Sequence, residues 1–99
     1  MTARIDIAPD RVADFCRRHH IHRLALFGSV LRDDFTDQSD VDVLVEFEPG
    51  KTPGWEFISM RDELSAILGR TVDLNTPKSL SRYFRDEVLA EARVLYDAA

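Results

Sequence analysis

The 99-residue sequence has little that would support an extracellular, membrane or nucleic-acid-binding role. One cysteine cannot form an internal disulfide, no apolar run is long enough to span a bilayer, and the N-terminus lacks a signal pattern. Lys and Arg total 13 against 18 Asp and Glu, which gives a net charge of −5. Non-specific nucleic-acid binding requires cationic side chains that neutralise phosphates. We therefore expect a cytoplasmic protein with no direct nucleic-acid or membrane partner.

Two common nucleotide-binding motifs are also absent. The sequence has no Gly-Lys-Ser/Thr triplet of a P-loop and no glycine triplet of a dinucleotide-binding fold. The hydrophobic content of 44% nevertheless favours a folded chain. Its length is enough for one core and too short for a second lobe. We therefore predict a single domain over residues 1–99.

Hydrophobic periodicity predicts an α/β fold in which a small mixed sheet of three to four strands is flanked by helices. Helices are predicted at 10–20, 55–68 and 80–96, a short helical turn at 30–33, and strands at 21–27, 40–47 and 71–75. Gly69 is expected to end the second long helix. The segment 48–54 has two prolines and two glycines, so we predict a loop there that borders the functional site.

The most informative pattern is Gly28-Ser29 followed by Asp40-x-Asp42. Side chains alternate along a strand, so the two aspartates share a face with Cα atoms about 6.5 Å apart, close enough to converge on a divalent cation. Gly28 permits a tight turn at which Ser29 and free backbone N–H groups can face phosphate oxygens. Antiparallel strands with a short connection bring the turn and the aspartates to one edge of the sheet.

A third carboxylate, Asp73, points away from the apolar side chains of Val72 and Leu74 in the third predicted strand. Together with Asp40 and Asp42 it can hold two Mg²⁺ ions against a triphosphate. Two metals reduce charge repulsion, activate an acceptor hydroxyl and stabilise leaving pyrophosphate. The triad therefore indicates nucleotidyl transfer.

These motifs resemble those of the minimal nucleotidyltransferases, a family within the DNA polymerase beta superfamily that often occurs beside HEPN-domain toxins. The similarity starts near Ile21, includes the runs 68–74 and 80–89, and ends at Leu95-Tyr96. Any one Asp-x-Asp would be weak evidence, but the spaced set is specific.

The resemblance implies a role for each matched residue. Phosphate binding is implied for Gly28 and Ser29, and metal binding for Asp40, Asp42 and Asp73. Arg32 is expected to neutralise phosphate or to orient the short helix. Asp73 is also expected to help deprotonate the acceptor. Family members frequently have glycine after the arginine, where this chain has Asp33, and the extra carboxylate is expected to affect efficiency more than fold.

The resemblance also implies a substrate and a partner. Such antitoxins transfer AMP from ATP to a tyrosine of a HEPN ribonuclease and thereby silence it, and this short chain has no further domain to enclose an acceptor. Two alternatives stay open: an antitoxin that neutralises its toxin by binding alone, and an enzyme that modifies a small-molecule hydroxyl.

Ordinary structural explanations compete with some of these roles. The aspartates can belong to solvated strand faces, and Arg32 can pair with a neighbouring aspartate instead of a phosphate. Trp55 is expected to anchor a loop or the core rather than stack on adenine. Cys16 and the histidines near it lack the spacing of a common zinc site.

Overall fold

A computed structural model of the chain describes residues 7–31, 36, 38–83 and 85–98. The helices are α1 (Pro9–Arg18), α2 (Glu56–Leu68) and α3 (Arg85–Glu91), with 3₁₀ turns at Gly28–Leu31 and Pro77–Ser79, and the strands are β1 (Ile21–Phe27), β2 (Val41–Phe47), β3 (Val72–Asn75) and β4 (Arg93–Asp97). The predicted α/β fold with a small mixed sheet is confirmed. No helix in the described part of the chain is long and apolar enough to cross a membrane.

The strands form one sheet in the order β3-β2-β1-β4. β1 runs antiparallel to both β2 and β4, whereas β2 and β3 are parallel. The end of β1 therefore meets the beginnings of β2 and β3, and Phe27 lies opposite Asp42. We call this end of the sheet, where the end of β1 and the beginnings of β2 and β3 meet, the site edge.

One face of the sheet carries most of the core. Its side chains pack against apolar residues of α1 and α2 spaced three and four positions apart, such as Val12, Phe15 and Cys16 in α1. On the other face Ala25 and Leu44 are also buried, at 1% and 2% exposure. The all-apolar end of β1 is therefore covered on both faces, as predicted.

The ends of α1 and α2 follow the sequence signals. α1 has Asp10 in its first turn and Arg17 and Arg18 in its last, which suits the helix dipole. α2 ends at Gly69, whose left-handed φ of 70° is costly for any residue with a Cβ. The predicted C-cap is confirmed.

The prediction of one long final helix was wrong. Among the described residues between 80 and 96, the α-helix runs from Arg85 to Glu91, and Arg93–Asp97 forms β4 along the open edge of β1. The amide of Ala98 extends the pairing by donating to the carbonyl oxygen of His22 at 2.8 Å. Val, Leu and Tyr at 94–96 pack well in a strand, and pairing satisfies the backbone groups of β1. Tertiary contact therefore outweighed the helical spacing.

The loop after β2 does not border the site edge. Strand β2 leads away from that edge, and the Glu48 amide donates to the carbonyl oxygen of His20, just before β1 begins. The segment 48–54 therefore lies at the opposite edge of the sheet. Trp55, which ends this loop, is 88% exposed, so the expectation that it anchors the core or the loop was wrong.

Candidate active site

Three strands bring the predicted site residues to the site edge. Gly28 and Ser29 follow β1 directly and form the start of a 3₁₀ turn. Asp42 is the second residue of β2, and Asp73 is the second residue of β3. The glycine turn and the two carboxylates thus meet at one place in the fold, although Gly28 and Asp73 are 45 residues apart in the sequence.

The turn at Gly28 is fitted closely to Asp42. Gly28 has a φ of 77°, and a Cβ placed on it would lie 3.2 Å from Cγ of Asp42 and even nearer to its Oδ2 atom. Only glycine combines this backbone angle with the space that the carboxylate occupies. The sequence predicted the turn but not this contact, because spacing along the chain does not reveal which side chain fills the space beside a glycine.

Asp42 and Asp73 are direct neighbours across the parallel β2–β3 pair. Neighbouring residues in register project to the same face. That face is opposite the one carrying Val41 and Val72, which are buried in the core. Asp42 is partly buried and Asp73 exposed, so water and ligands can reach the pair from solvent.

Asp40 lies just outside the sheet, although the sequence placed it within the second strand. Strand β2 begins at Val41, whose amide donates to the Thr71 carbonyl oxygen at 2.8 Å. Asp40 is exposed. Its backbone thus adjoins the beginning of β3 at the site edge, two residues from Asp42.

The donor set is suited to magnesium. No group of three His, Cys, Asp or Glu side chains in the described residues is already gathered around a metal position. Mg²⁺ is commonly held by one or two carboxylates together with substrate phosphates and water, rather than by an all-protein cage. The adjacent carboxylates of Asp42 and Asp73 provide the hard oxygen ligands for such a site, and Asp40 is the nearest addition along the chain.

A cleft of about 400 Å³ lies beside the acidic residues, on the outer side of β3. Asp40 and Asp73 line it together with Arg61, Asp62 and Ser65 of α2. The Ser65 hydroxyl accepts a hydrogen bond at 3.0 Å from the first amide of β3 and so connects α2 to this strand. These α2 residues were not predicted from the sequence, because helical periodicity indicates the buried face of α2 but not the strand edge beside its polar face.

The predicted phosphate-binding residue Arg32 lies outside the described residues, as do Asp33, Asp34 and Asp37. Its role stays a prediction.

Three groups away from the site edge, Cys16, Arg18 and Glu63, have shifted pKa values. Burial raises the pKa of the Cys16 thiol to about 12, against a smaller opposing effect of Arg17. The hydrogen bond from Arg18 holds the pKa of Glu63 below its usual range, with a further contribution from His19. The contacts of Glu63 with Arg18 and His19 join α2 to the end of α1, and the described residues around Cys16 form no metal-binding cluster.

Comparison with known proteins reveals relatives in sequence and in structure. Residues 10–96 match the family model described as a nucleotidyltransferase domain. The protein adenylyltransferase MntA of Thermococcus cleftensis is 37% identical over 75 residues, which are 75% of this chain and 74% of that protein. A Methanocaldococcus jannaschii protein designated a protein adenylyltransferase is 36% identical over 75 residues, with coverage of 76% and 80%.

Solved structures show the same fold. A structure designated a minimal nucleotidyltransferase superposes with a TM-score of 0.70 at 36% identity and covers 85% of each chain. The MNT antitoxin complex with the tri-AMPylated Shewanella oneidensis HEPN toxin superposes with a TM-score of 0.64 at 20% identity, covering 91% of this chain and 70% of that one.

Proposed function

The chain belongs to the nucleotidyltransferase domain family, and from that premise we propose that it transfers AMP from ATP to a tyrosine hydroxyl of a HEPN-domain ribonuclease toxin. The transfer neutralises the toxin, so the chain acts as an antitoxin in the cytoplasm. The observation that carries this proposal is the in-register pair of Asp42 and Asp73 beside the glycine turn, because two carboxylates that can bind metal lie next to a turn whose backbone N–H groups can bind phosphate.

The relatives support the choice of substrate and partner. Two relatives, each more than 35% identical, carry the name protein adenylyltransferase, and both alignments cover about three quarters of this chain. One structural neighbour is an MNT antitoxin bound to a HEPN toxin that carries three AMP groups. A protein acceptor also suits a site edge at which Asp40 and Asp73 are open to solvent.

Each residue at the site edge has a proposed role. The backbone N–H groups and hydroxyl at Gly28 and Ser29 bind phosphate oxygens, because the turn leaves amides free at the start of a helical segment. Asp40, Asp42 and Asp73 hold two Mg²⁺ ions. When bound, the metal ions offset the phosphate charge and favour both the attacking oxygen and the leaving pyrophosphate.

The acceptor reaches the α-phosphate from the side of β3. Its hydroxyl oxygen forms a bond to the α-phosphorus, the bond from that phosphorus to the bridging oxygen breaks, and pyrophosphate leaves. The carboxylate of Asp73 accepts the hydroxyl proton. The cleft lined by Asp40 and Asp73 supports this direction of approach, since β2 separates it from the turn at Gly28.

Labelled ATP provides the direct test. The protein is incubated with Mg²⁺, the HEPN protein encoded beside it, and ATP labelled at either the α- or the γ-phosphate. We expect a labelled tyrosine on the partner with the α-label only, and none with Asp40→Ala. Equal labelling by wild type and Asp40→Ala, or no labelling by either, would contradict the enzymatic proposal.

Toxin neutralisation in cells separates catalysis from binding. Catalysis requires that Asp42→Asn lose protection even where it still binds the toxin. If the variant protects as well as wild type, the chain neutralises by binding alone. Transfer to small hydroxylated molecules without any protein partner would instead support a small-molecule acceptor.

A further inference from the structure

Arg70 joins two chain segments that meet at the site edge. It follows the C-cap Gly69 and stands three residues before Asp73. One of its guanidinium nitrogens donates to the carbonyl oxygen of Thr36 at 2.6 Å and to that of Ser39 at 3.1 Å. Both acceptors belong to the connection that leads from the Gly28 turn to β2.

The two acceptors of Arg70 belong to residues that are also hydrogen-bonded to each other. The Ser39 hydroxyl accepts a hydrogen bond from the Thr36 amide at 3.0 Å, and the Ser39 amide donates to the Thr36 carbonyl oxygen at 3.0 Å. Arg70 therefore binds the carbonyl groups of two residues, Thr36 and Ser39, that are already joined to each other by hydrogen bonds. A planar guanidinium suits this arrangement because its donors have fixed directions.

The residues on either side of Asp40 both form hydrogen bonds with the dipeptide Arg70-Thr71. The residue before it, Ser39, accepts a hydrogen bond from Arg70, and the residue after it, Val41, donates to Thr71. Asp42 and Asp73 lie inside strands, where the sheet sets their positions. Asp40 lies outside the strands, so the position of its backbone depends on these two hydrogen bonds.

We propose that Arg70 is a positioning residue which holds Asp40 at the site edge by fixing Thr36 and Ser39 against the beginning of β3. The inference rests on the proposed function of Asp40 as a metal ligand. Residues that orient metal ligands commonly affect metal affinity by roughly ten- to a hundredfold. Arg70 does not contact substrate in this proposal, and it acts through Asp40.

The test compares Arg70→Met with Arg70→Lys, and with Arg17→Met on the exposed surface of α1 as a control. Amide hydrogen exchange is measured first, without metal or nucleotide. We expect Arg70→Met to speed exchange at residues 38–41 while α1 and β1 keep their protection. Arg17→Met should leave residues 38–41 unchanged.

The Mg²⁺ dependence of AMP transfer is measured next. For Arg70→Met we expect half-saturating Mg²⁺ to rise by roughly tenfold or more, as for other residues that orient metal ligands. Arg70→Lys should recover part of this loss, because an ammonium group keeps the charge and can donate to at least one of the two carbonyls.

The outcomes separate the two proposals. Unchanged exchange at residues 38–41 in Arg70→Met overturns the positioning role, whatever the enzyme does. Faster exchange with unchanged half-saturating Mg²⁺ overturns the link to Asp40. If wild type transfers no AMP but Mn²⁺ titration shows weaker metal binding in Arg70→Met, the proposed function fails and the positioning role stands.

Discussion

The Oδ2 atom of Asp42 occupies the space that a Cβ atom on Gly28 would need. The contact joins the end of β1 to the beginning of β2, where Phe27 lies opposite Asp42. The glycine turn and the Asp42 carboxylate, for which phosphate binding and metal binding are proposed, are thereby held close together. A side chain at position 28 would therefore have to displace the Asp42 carboxylate.

We predict that Gly28→Ala abolishes most activity. The new methyl group must displace the Asp42 carboxylate, and misplacing a catalytic group by about 1 Å can reduce a rate by roughly 100-fold. The left-handed φ of 77° adds about 1–2 kcal/mol of backbone strain. AMP transfer and thermal unfolding measure the two effects.

Gly50→Ala is the matched control for this substitution. Gly50 has a φ of 76°, nearly that of Gly28, but apart from its chain neighbours no atom of the described residues lies within 4 Å of the added Cβ. It should lose similar stability and retain wild-type activity. If both variants lose activity equally, backbone strain rather than contact with Asp42 is responsible.

Neutralising Asp73 should separate two effects of the adjacent carboxylates, namely charge repulsion, which lowers stability, and metal binding, which raises it. Asp73 and Asp42 are neighbours in register, and like charges directly opposite in a sheet destabilise it by up to about 1 kcal/mol. In EDTA, Asp73→Asn should therefore unfold at the same temperature as wild type or slightly higher. Adding Mg²⁺ with an ATP analogue that cannot be cleaved after its α-phosphate should stabilise wild type more than the variant.

Asp62→Asn provides the comparison for Asp73→Asn. Asp62 lines the same cleft from α2, and it lies on the helix rather than on the acidic sheet face. We expect it to keep the full stabilisation by Mg²⁺ and analogue. An equal loss in both variants would indicate a general effect of charge in the cleft rather than metal binding by Asp73.

The Cys16 thiol should react only when the protein opens. Burial raises its pKa to about 12 from an ordinary value of 9.0, which reduces the reactive thiolate at pH 8 by roughly three powers of ten. Labelling with a thiol reagent should be slow in the native protein and fast in denaturant. Rapid labelling with an unchanged circular dichroism spectrum would show that Cys16 is accessible in the folded state.

Local pattern was sufficient to predict the part of the fold that carries the site. The predicted bounds of β1 match the structure, and β2 and β3 each begin within one residue of their predicted bounds, because apolar runs and alternation are strong signals in short strands. The same alternation predicted that Asp73 faces away from Val72 and Leu74, and in β3 Asp73 is exposed whereas Val72 and Leu74 are buried. The similarity to a family added the roles that alternation does not indicate.

Features that depend on distant segments could not be predicted in this way. Leu95 continues the helical spacing of Val88 and Ala92, yet residues 93–97 form β4 because β1 offers an unpaired edge. Arg70 gave no separate signal, since its partners Thr36 and Ser39 lie more than 30 residues earlier. Contacts of this kind depend on how the segments pack, not on local propensity.

The contacts of Glu63 with the end of α1 should contribute less stability in acid. Arg18 and His19 at the end of α1 both contact the Glu63 carboxylate, with His19 Nε2 at 2.9 Å, and the Arg18 hydrogen bond lowers the pKa of Glu63. A carboxyl whose pKa falls on folding contributes stability above its ordinary pKa of 4.5 and loses it as pH drops through the folded-state value.

Glu63→Gln tests this pH dependence. Its melting temperature should lie a few degrees below that of wild type at neutral pH, because partly exposed ion pairs contribute modestly, and the difference should shrink below pH 4.5. Glu56→Gln, an exposed change in the first turn of the same helix, should show no such convergence. A constant difference between Glu63→Gln and wild type across the whole pH range would mean that packing, and not the charge of Glu63, stabilises the contact between α2 and the end of α1.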